Sequence, residues 1–290
     1  MRNSIVNNMR AKMLVCWFLL AASLLLPSAA PAQQASSSAL PPVRIILVGD
    51  STMAIHNGWG PGFCANVARE VTCLNMAKNG RSSGSYRAEG SWAKVMEALK
   101  HNQDYKDTYV LIQFGHNDQP GKPGRSTDLA TEFPVNMKRY VDEVTAAGAT
   151  PVLVTPLTRR TFKDGKLEDG LGPWTDAVKQ VAAAAHVRLL DLHADSMIAV
   201  QKMGPAEADT LAQAPVPAGG GSASGTSIPA PTPAPTPQAA STGGDTEPKA
   251  LAPPRFDYTH LGEKGSAFFG RMIATELTQA VPELQPYIKR

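Results

Sequence analysis

Charge is scarce in this chain. Lys, Arg, Asp and Glu supply 18% of 290 residues, and the formal net charge is +3. Arg2, Arg10 and Lys12 account for that excess, so the remainder is close to neutral. A broadly basic nucleic-acid binder is thereby excluded. Cysteine is scarcer still: Cys16, Cys64 and Cys73 are all there are. No C-x-x-C pair and no His/Cys cluster at zinc spacing exists, so the sequence implies no metal and no organic cofactor. Long apolar runs are also missing. The N-terminal one, Met13 to Leu26, is well short of the roughly 20 residues that span a bilayer.

That run has the layout of an export signal. A basic stretch precedes it, Pro27 follows it, and Ala30-Pro31-Ala32 fits an A-x-A cleavage site. Residues 1–32 therefore read as a cleaved signal peptide, and 33–42 as a flexible lead. Residues 43–290 read as one domain, periplasmic or secreted, monomeric and without a membrane span. Two cysteines stay in the mature protein. In that compartment a Cys64–Cys73 disulfide and two buried free thiols both fit.

The organising stretch is Arg44-Ile45-Ile46-Leu47-Val48-Gly49-Asp50-Ser51-Thr52. An apolar run ends in a glycine turn, which leaves the Ser51 hydroxyl at a strand's carboxyl end. Further strands are expected at 71–76, 108–114, 150–155 and 187–190. Helices are expected from Trp59 to about Glu70 and over 91–100, 131–147, 172–185, 191–203 and 263–277. From about 205 to 254 the chain is Ala, Pro, Gly, Ser and Thr, a composition too poor in apolar residues to order itself. Strands alternating with helices predict a three-layer α/β/α sandwich on a roughly five-stranded parallel sheet, much like flavodoxin.

In such a sheet ligands bind at the carboxyl ends of the strands. Gly49-Asp50-Ser51, Asn79-Gly80 and Gly115-His116-Asn117-Asp118 end three of them, and Asp257-Tyr258-Thr259-His260 precedes the last helix. Imidazole titrates near neutrality, so His260 suits the task of taking a proton from a serine hydroxyl. Asp257 can hold its other ring N–H. The backbone N–H groups of Ser51 and Gly80, with the Asn117 amide, are three donors for an ester oxyanion.

These four blocks, in this order, resemble those of the SGNH, or GDSL, hydrolases. Gly-Asp-Ser-Thr with Gly-Trp-Gly, Asn-Gly-Arg-Ser-Ser and Phe-Gly-His-Asn-Asp looks most like rhamnogalacturonan acetylesterases, which remove acetyl groups from pectin. The resemblance implies a serine esterase with Ser51 as nucleophile, Asp257 and His260 as its partners, and Ser51, Gly80 and Asn117 as the oxyanion hole. An acetylated polysaccharide or oligosaccharide would be its substrate.

Other readings stand beside this one. Gly80-Arg81-Ser82-Ser83-Gly84 is a G-x-S-x-G string that would make Ser82 the nucleophile. Trp59, Arg81 and His116 are candidate sugar contacts. Arg81, Arg87, Lys122 and Arg125 lie where they could attract an acidic polymer. Asp50 and Asp118 read as loop-holding groups. His56, His101, His186 and His193 carry no partner signature. A lipid esterase or thioesterase would keep the fold, and a non-catalytic carbohydrate-binding envelope protein would keep it without chemistry.

Overall fold

The computed structural model describes residues 40–213 and 256–289. The expected signal peptide, most of the lead expected over 33–42 and most of the low-complexity segment lie outside them. Five strands form the central sheet: β1 (Val43–Gly49), β2 (Val71–Asn75), β3 (Asp107–Gln113), β4 (Thr150–Val154) and β7 (Arg188–Leu190). All their pairings are parallel, in the order β2-β1-β3-β4-β7. This is the flavodoxin-like order.

Every residue of β1 is buried, as a strand covered on both faces requires. Alternation along the strands builds two cores. Ile45, Leu47, Tyr109, Leu111, Val152 and Val154 face one way, toward α1 (Gly60–Ala65), α6 (Leu192–Asp209) and α7 (Glu263–Ala280). Ile46, Val48, Val110, Ile112 and Leu153 face α3 (Ser91–Leu99), α4 (Phe133–Ala146) and α5 (Gly172–Ala185). A short α2 (Ser85–Ala88) contributes Tyr86 to the second core.

The chain runs from β1 to β2 on one side and then to β3 on the other. The strand order therefore reverses at β1, and the crevice beyond its carboxyl end is the topological switch point. Ser51 stands two residues past that end.

Four local expectations are corrected. Helix α1 stops at Ala65, not near Glu70. The Asn66 amide folds back onto Gly62 O at 2.6 Å, and the following Val67 bridges Ile288 instead of continuing the helix. Second, α6 reaches Asp209, well past the expected end at 203. It kinks at Gly204, whose φ is 72°, and resumes through Pro205. Leu211 is then buried, and Ala212 bridges Leu261. The low-complexity composition thus begins inside folded chain: Ala206 to Asp209 are adequate helix formers, and one leucine anchors the end. Third, α2 was not anticipated. Fourth, a hairpin, β5 (Phe162–Lys163) with β6 (Lys166–Leu167), was not anticipated either. It turns on Asp164-Gly165 at φ 49° and 75°, a dipeptide suited to a two-residue hairpin loop.

The cysteine alternatives resolve in favour of a disulfide, Cys64–Cys73, which ties α1 to β2. The other face of α1 meets α7 at backbone contact. A Cβ on Gly62 would lie 1.9 Å from Ser266 O, and one on Gly270 would lie 2.3 Å from Phe63 N. Ser266 Oγ accepts the Gly62 N–H at 3.0 Å in the same crossing. This docking carries the chain segment just before α7, which contains His260, to the β1 end of the sheet.

Because backbone blocks the added methyl, Gly270→Ala is expected to cost about 2–3 kcal/mol. For a domain of this size that lowers Tm by roughly 5–10 °C. Thermal unfolding followed by circular dichroism checks this, and an unchanged Tm would mean that the two helices do not touch.

Candidate active site

Ser51 sits in a turn fixed by its neighbour. Asp50 is fully buried, and its Oδ1 accepts from Thr52 N and Thr52 Oγ1, each at 2.8 Å. Burial would raise the Asp50 carboxyl, but nearby His116 and the two Thr52 donors bring it below its ordinary value. The aspartate therefore holds the turn, and its charge stays under the serine.

His260 arrives from the far end of the chain. Its Nε2 lies 2.8 Å from Ser51 Oγ, and its Nδ1 lies 2.7 Å from Asp257 Oδ2. The other carboxylate oxygen, Asp257 Oδ1, accepts the backbone N–H groups of Thr259 (2.9 Å) and His260 (3.0 Å). The three-residue spacing thus closes a small loop in which one side chain orients both the backbone and the ring. With Nδ1–H donated to a carboxylate, Nε2 is left to accept the serine proton. Burial pushes the Asp257 carboxyl up, but the hydrogen bonds from the His260 ring, the backbone N–H groups and the His260 charge outweigh it. The net result is about 2.

The loops after β2 and β3 are joined to each other. Asn117 is buried, and its amide donates to Arg81 O at 3.1 Å. Gly80 adopts φ 73°, a left-handed conformation that glycine takes without strain. Asp118 ties the two loops underneath, accepting Ser83 Oγ at 2.6 Å, Ser83 N at 3.0 Å, Gly115 N at 3.0 Å and Thr127 Oγ1 at 2.9 Å. Burial, partly offset by those donors, moves its carboxyl up to about 6.

Several expected contacts turn out otherwise. Trp59 does not line a sugar site: it is fully buried, stacked edge-on with Phe63, with Nε1 donating to Gln113 Oε1 at 2.7 Å. His116 is also buried, with Nδ1 3.5 Å from Asp50 Oδ2, so its ring is packed beneath the turn and not presented to substrate. Both were assigned by residue type at a promising position, where the core claimed them instead. Arg81 lies at the edge but is paired with Glu89 at 2.6 Å. Arg87 pairs with Glu143 at 2.6 Å and lies over Tyr140.

Ser82 fails the geometric test for a nucleophile. It is fully buried, and its hydroxyl is engaged with Ser85 Oγ at 3.1 Å. Among the other histidines, His193 is buried between Pro156 O and Asp169, and His186 closes α5 at φ 53°. Among the described residues, no group of three or more His, Cys, Asp or Glu side chains is arranged to hold a metal ion.

Two arginines at this edge were missed: Arg159 and Arg160, a few residues past β4. The signal was available, since the fourth strand also delivers its carboxyl end here and Arg-Arg is unusual in a chain so poor in charge. Arg159 Nη2 donates to Gln119 Oε1 at 2.5 Å. Arg160 is fully buried against the Asp257–His260 loop.

Residues 47–213 match the GDSL-like Lipase/Acylhydrolase family. The chain is 35% identical over 178 residues to the rhamnogalacturonan acetylesterase RhgT of Bacillus subtilis, covering 59% of this chain and 73% of that one. Among solved structures, YxiM of Bacillus subtilis aligns with a TM-score of 0.57 at 19% identity, over 82% of this chain and 57% of that one. A mutant of Axe2, an acetyl-xylooligosaccharide esterase from a Geobacillus, aligns with a TM-score of 0.50 at 15% identity, over 82% and 93%. These two structures speak to the fold alone.

The low value of the Asp257 carboxyl has a measurable consequence. Its stabilisation is fully present above the unfolded carboxylate value of about 3.9 and is lost as pH falls through about 2. Asp257→Asn should therefore be less stable than the native protein at neutral pH, with the gap narrowing between about pH 4 and pH 2. Denaturant unfolding at a series of pH values tests this, and a gap that stays constant would contradict the assignment. With its fold, its four blocks and its serine–histidine–aspartate series in place, the chain belongs to the GDSL-like lipase/acylhydrolase family and is a carboxylic-ester hydrolase.

Proposed function

We propose that this protein is an exported acetylesterase that removes O-acetyl groups from a plant cell-wall polysaccharide, rhamnogalacturonan or another pectin. One observation carries the reading: hydroxyl, imidazole and carboxylate stand in hydrogen-bonded series at the edge where a parallel sheet binds its ligands. Ser51 Oγ attacks the acetyl carbonyl while His260 Nε2 takes its proton. The Ser51 and Gly80 N–H groups and the Asn117 amide receive the oxyanion. His260 then gives its proton to the departing sugar hydroxyl. Water, deprotonated by the same imidazole, releases acetate and frees the serine.

The name of the Bacillus relative supports acetyl and rhamnogalacturonan as the substrate terms. The charge at the site supports an acidic polymer. Of the four cations expected near this edge, two are neutralised by glutamates. Among the described residues, the hydrogen bonds of Lys122 and Arg125 go to neutral acceptors: His116 O for Lys122, and Asn117 Oδ1 at 3.4 Å and Gly80 O at 3.5 Å for Arg125. Arg159 joins them, hydrogen-bonded to Gln119 and within electrostatic reach of the buried Asp50 carboxylate. Burial and the neighbouring Arg159 hold the Lys122 ammonium down at about 8, so an anion arriving there would restore it. Uronate carboxylates are such anions.

Ser51→Ala should lower kcat for acetate release from acetylated pectin by about 10⁴-fold or more, whereas Ser82→Ala should retain activity. The reverse pattern would transfer the nucleophile to Ser82. For the cations, Lys122→Met with Arg159→Met should raise KM on acetylated pectin bearing free carboxylates. The increase should be about tenfold or more relative to the same polymer with its carboxylates methyl-esterified. Equal effects on both polymers would remove the acidic-substrate reading while leaving the esterase intact.

A further inference from the structure

The catalytic histidine lies on a loop without regular secondary structure, and a single residue grips all four of that loop's carbonyls. Arg160 N donates to Tyr258 O at 2.8 Å. Its Nη2 donates to Asp257 O at 3.0 Å and His260 O at 2.8 Å, and its Nη1 donates to Thr259 O at 3.3 Å. We infer that Arg160 is a positioning residue for catalysis: it fixes the backbone of Asp257–His260 so that the His260 ring meets Ser51 in line. The inference rests on Ser51 and His260 being the reacting pair.

The cost of this arrangement argues for a specific role. Arg160 is wholly buried, and taking a guanidinium out of water is expensive unless carboxylates compensate. Buried Asp209, at the end of α6, and Asp257 itself lie close enough to do so. A simple loop anchor has no need of a charge. What the loop needs is one planar fork that satisfies several carbonyls pointing at one spot, which an arginine provides and a lysine ammonium does not. The grip also acts across a long gap. The strand-end segment carrying Arg160 follows β4, and its partners lie 97 to 100 residues later, beyond the low-complexity stretch. Whatever that stretch does, the loop that follows it is fixed from the β4 side. Gln213 N also reaches His260 O, at 3.3 Å, so the chain before the gap meets the same carbonyl.

The test compares Arg160→Ala and Arg160→Lys with the native protein on an aryl acetate, in the full chain, with folding checked by circular dichroism. A displacement of about 1 Å in a catalytic group costs on the order of 10²-fold. The expected result is therefore a kcat for Arg160→Ala lowered by about that factor with KM little changed. Millimolar guanidinium, but not ammonium, should restore much of it. Rescue of this kind separates positioning from general loss of structure. Folded Arg160→Ala that guanidinium does not rescue would overturn the inference, as would a loss confined to KM. If Arg160→Ala does not fold, Arg160→Lys decides: a lowered kcat at native KM in a folded protein supports the inference, and native kcat overturns it.

Discussion

The hydrogen bond between Ser51 Oγ and His260 Nε2 joins residues 209 positions apart, and the rest of the molecule is arranged around that closure. Closing so distant a pair costs chain entropy that the bond cannot offset alone, since a single net hydrogen bond contributes only about 1 kcal/mol. The closure is instead held by packing. Helix α7 is pressed onto α1 through Gly62 and Gly270, α1 is tied to β2 by the disulfide, and β2 pairs with β1, whose end carries the serine. The Ser51–His260 contact is thus the end of a packed circuit, and the intervening low-complexity segment does not have to supply its precision.

Carboxylates at this edge divide by task. Asp257 is held ionised by donors on both oxygens and orients the imidazole. Asp50 shapes the turn under Ser51, and Asp118 pins the loops after β2 and β3 together. The latter two are buried and face backbone or hydroxyl donors, so they build the frame that would present the oxyanion donors. The cations divide in the same way: Arg81 and Arg87 have glutamate partners, whereas the hydrogen bonds of Lys122, Arg125 and Arg159 among the described residues go to neutral acceptors.

How much of this was legible in the sequence depends on the kind of signal. Apolar runs located all five sheet strands, two of them ended by glycine, and their parallel arrangement followed from the alternation with helices. Ser51, Gly80 and Asn117 were expected together because they follow strand ends, and Asp257 and His260 because they precede the last helix; the structure brings Ser51, Asp257 and His260 within hydrogen-bond reach. Trp59 and His116 were candidate substrate contacts that are buried instead, because residue type near a site says nothing about which way a side chain turns. Arg160 stood out only as half of an Arg-Arg pair past a strand end: the carbonyls it meets lie 97 to 100 residues away, a relation that no local pattern encodes. The end of α6 was obscured because alanine and proline dominate both the helix beyond Gly204 and the segment after it.

The central claim is that Ser51 is the nucleophile within a donor set formed by Gly80 and Asn117. The most direct measurement is a crystal structure of the protein after reaction with a serine-directed phosphonate. The account predicts a covalent bond from phosphorus to Ser51 Oγ. It also predicts one phosphoryl oxygen within about 2.7–3.1 Å of the Ser51 and Gly80 N–H groups and the Asn117 amide. An adduct on Ser82, or a phosphoryl oxygen pointing away from Gly80 and Asn117, would contradict it.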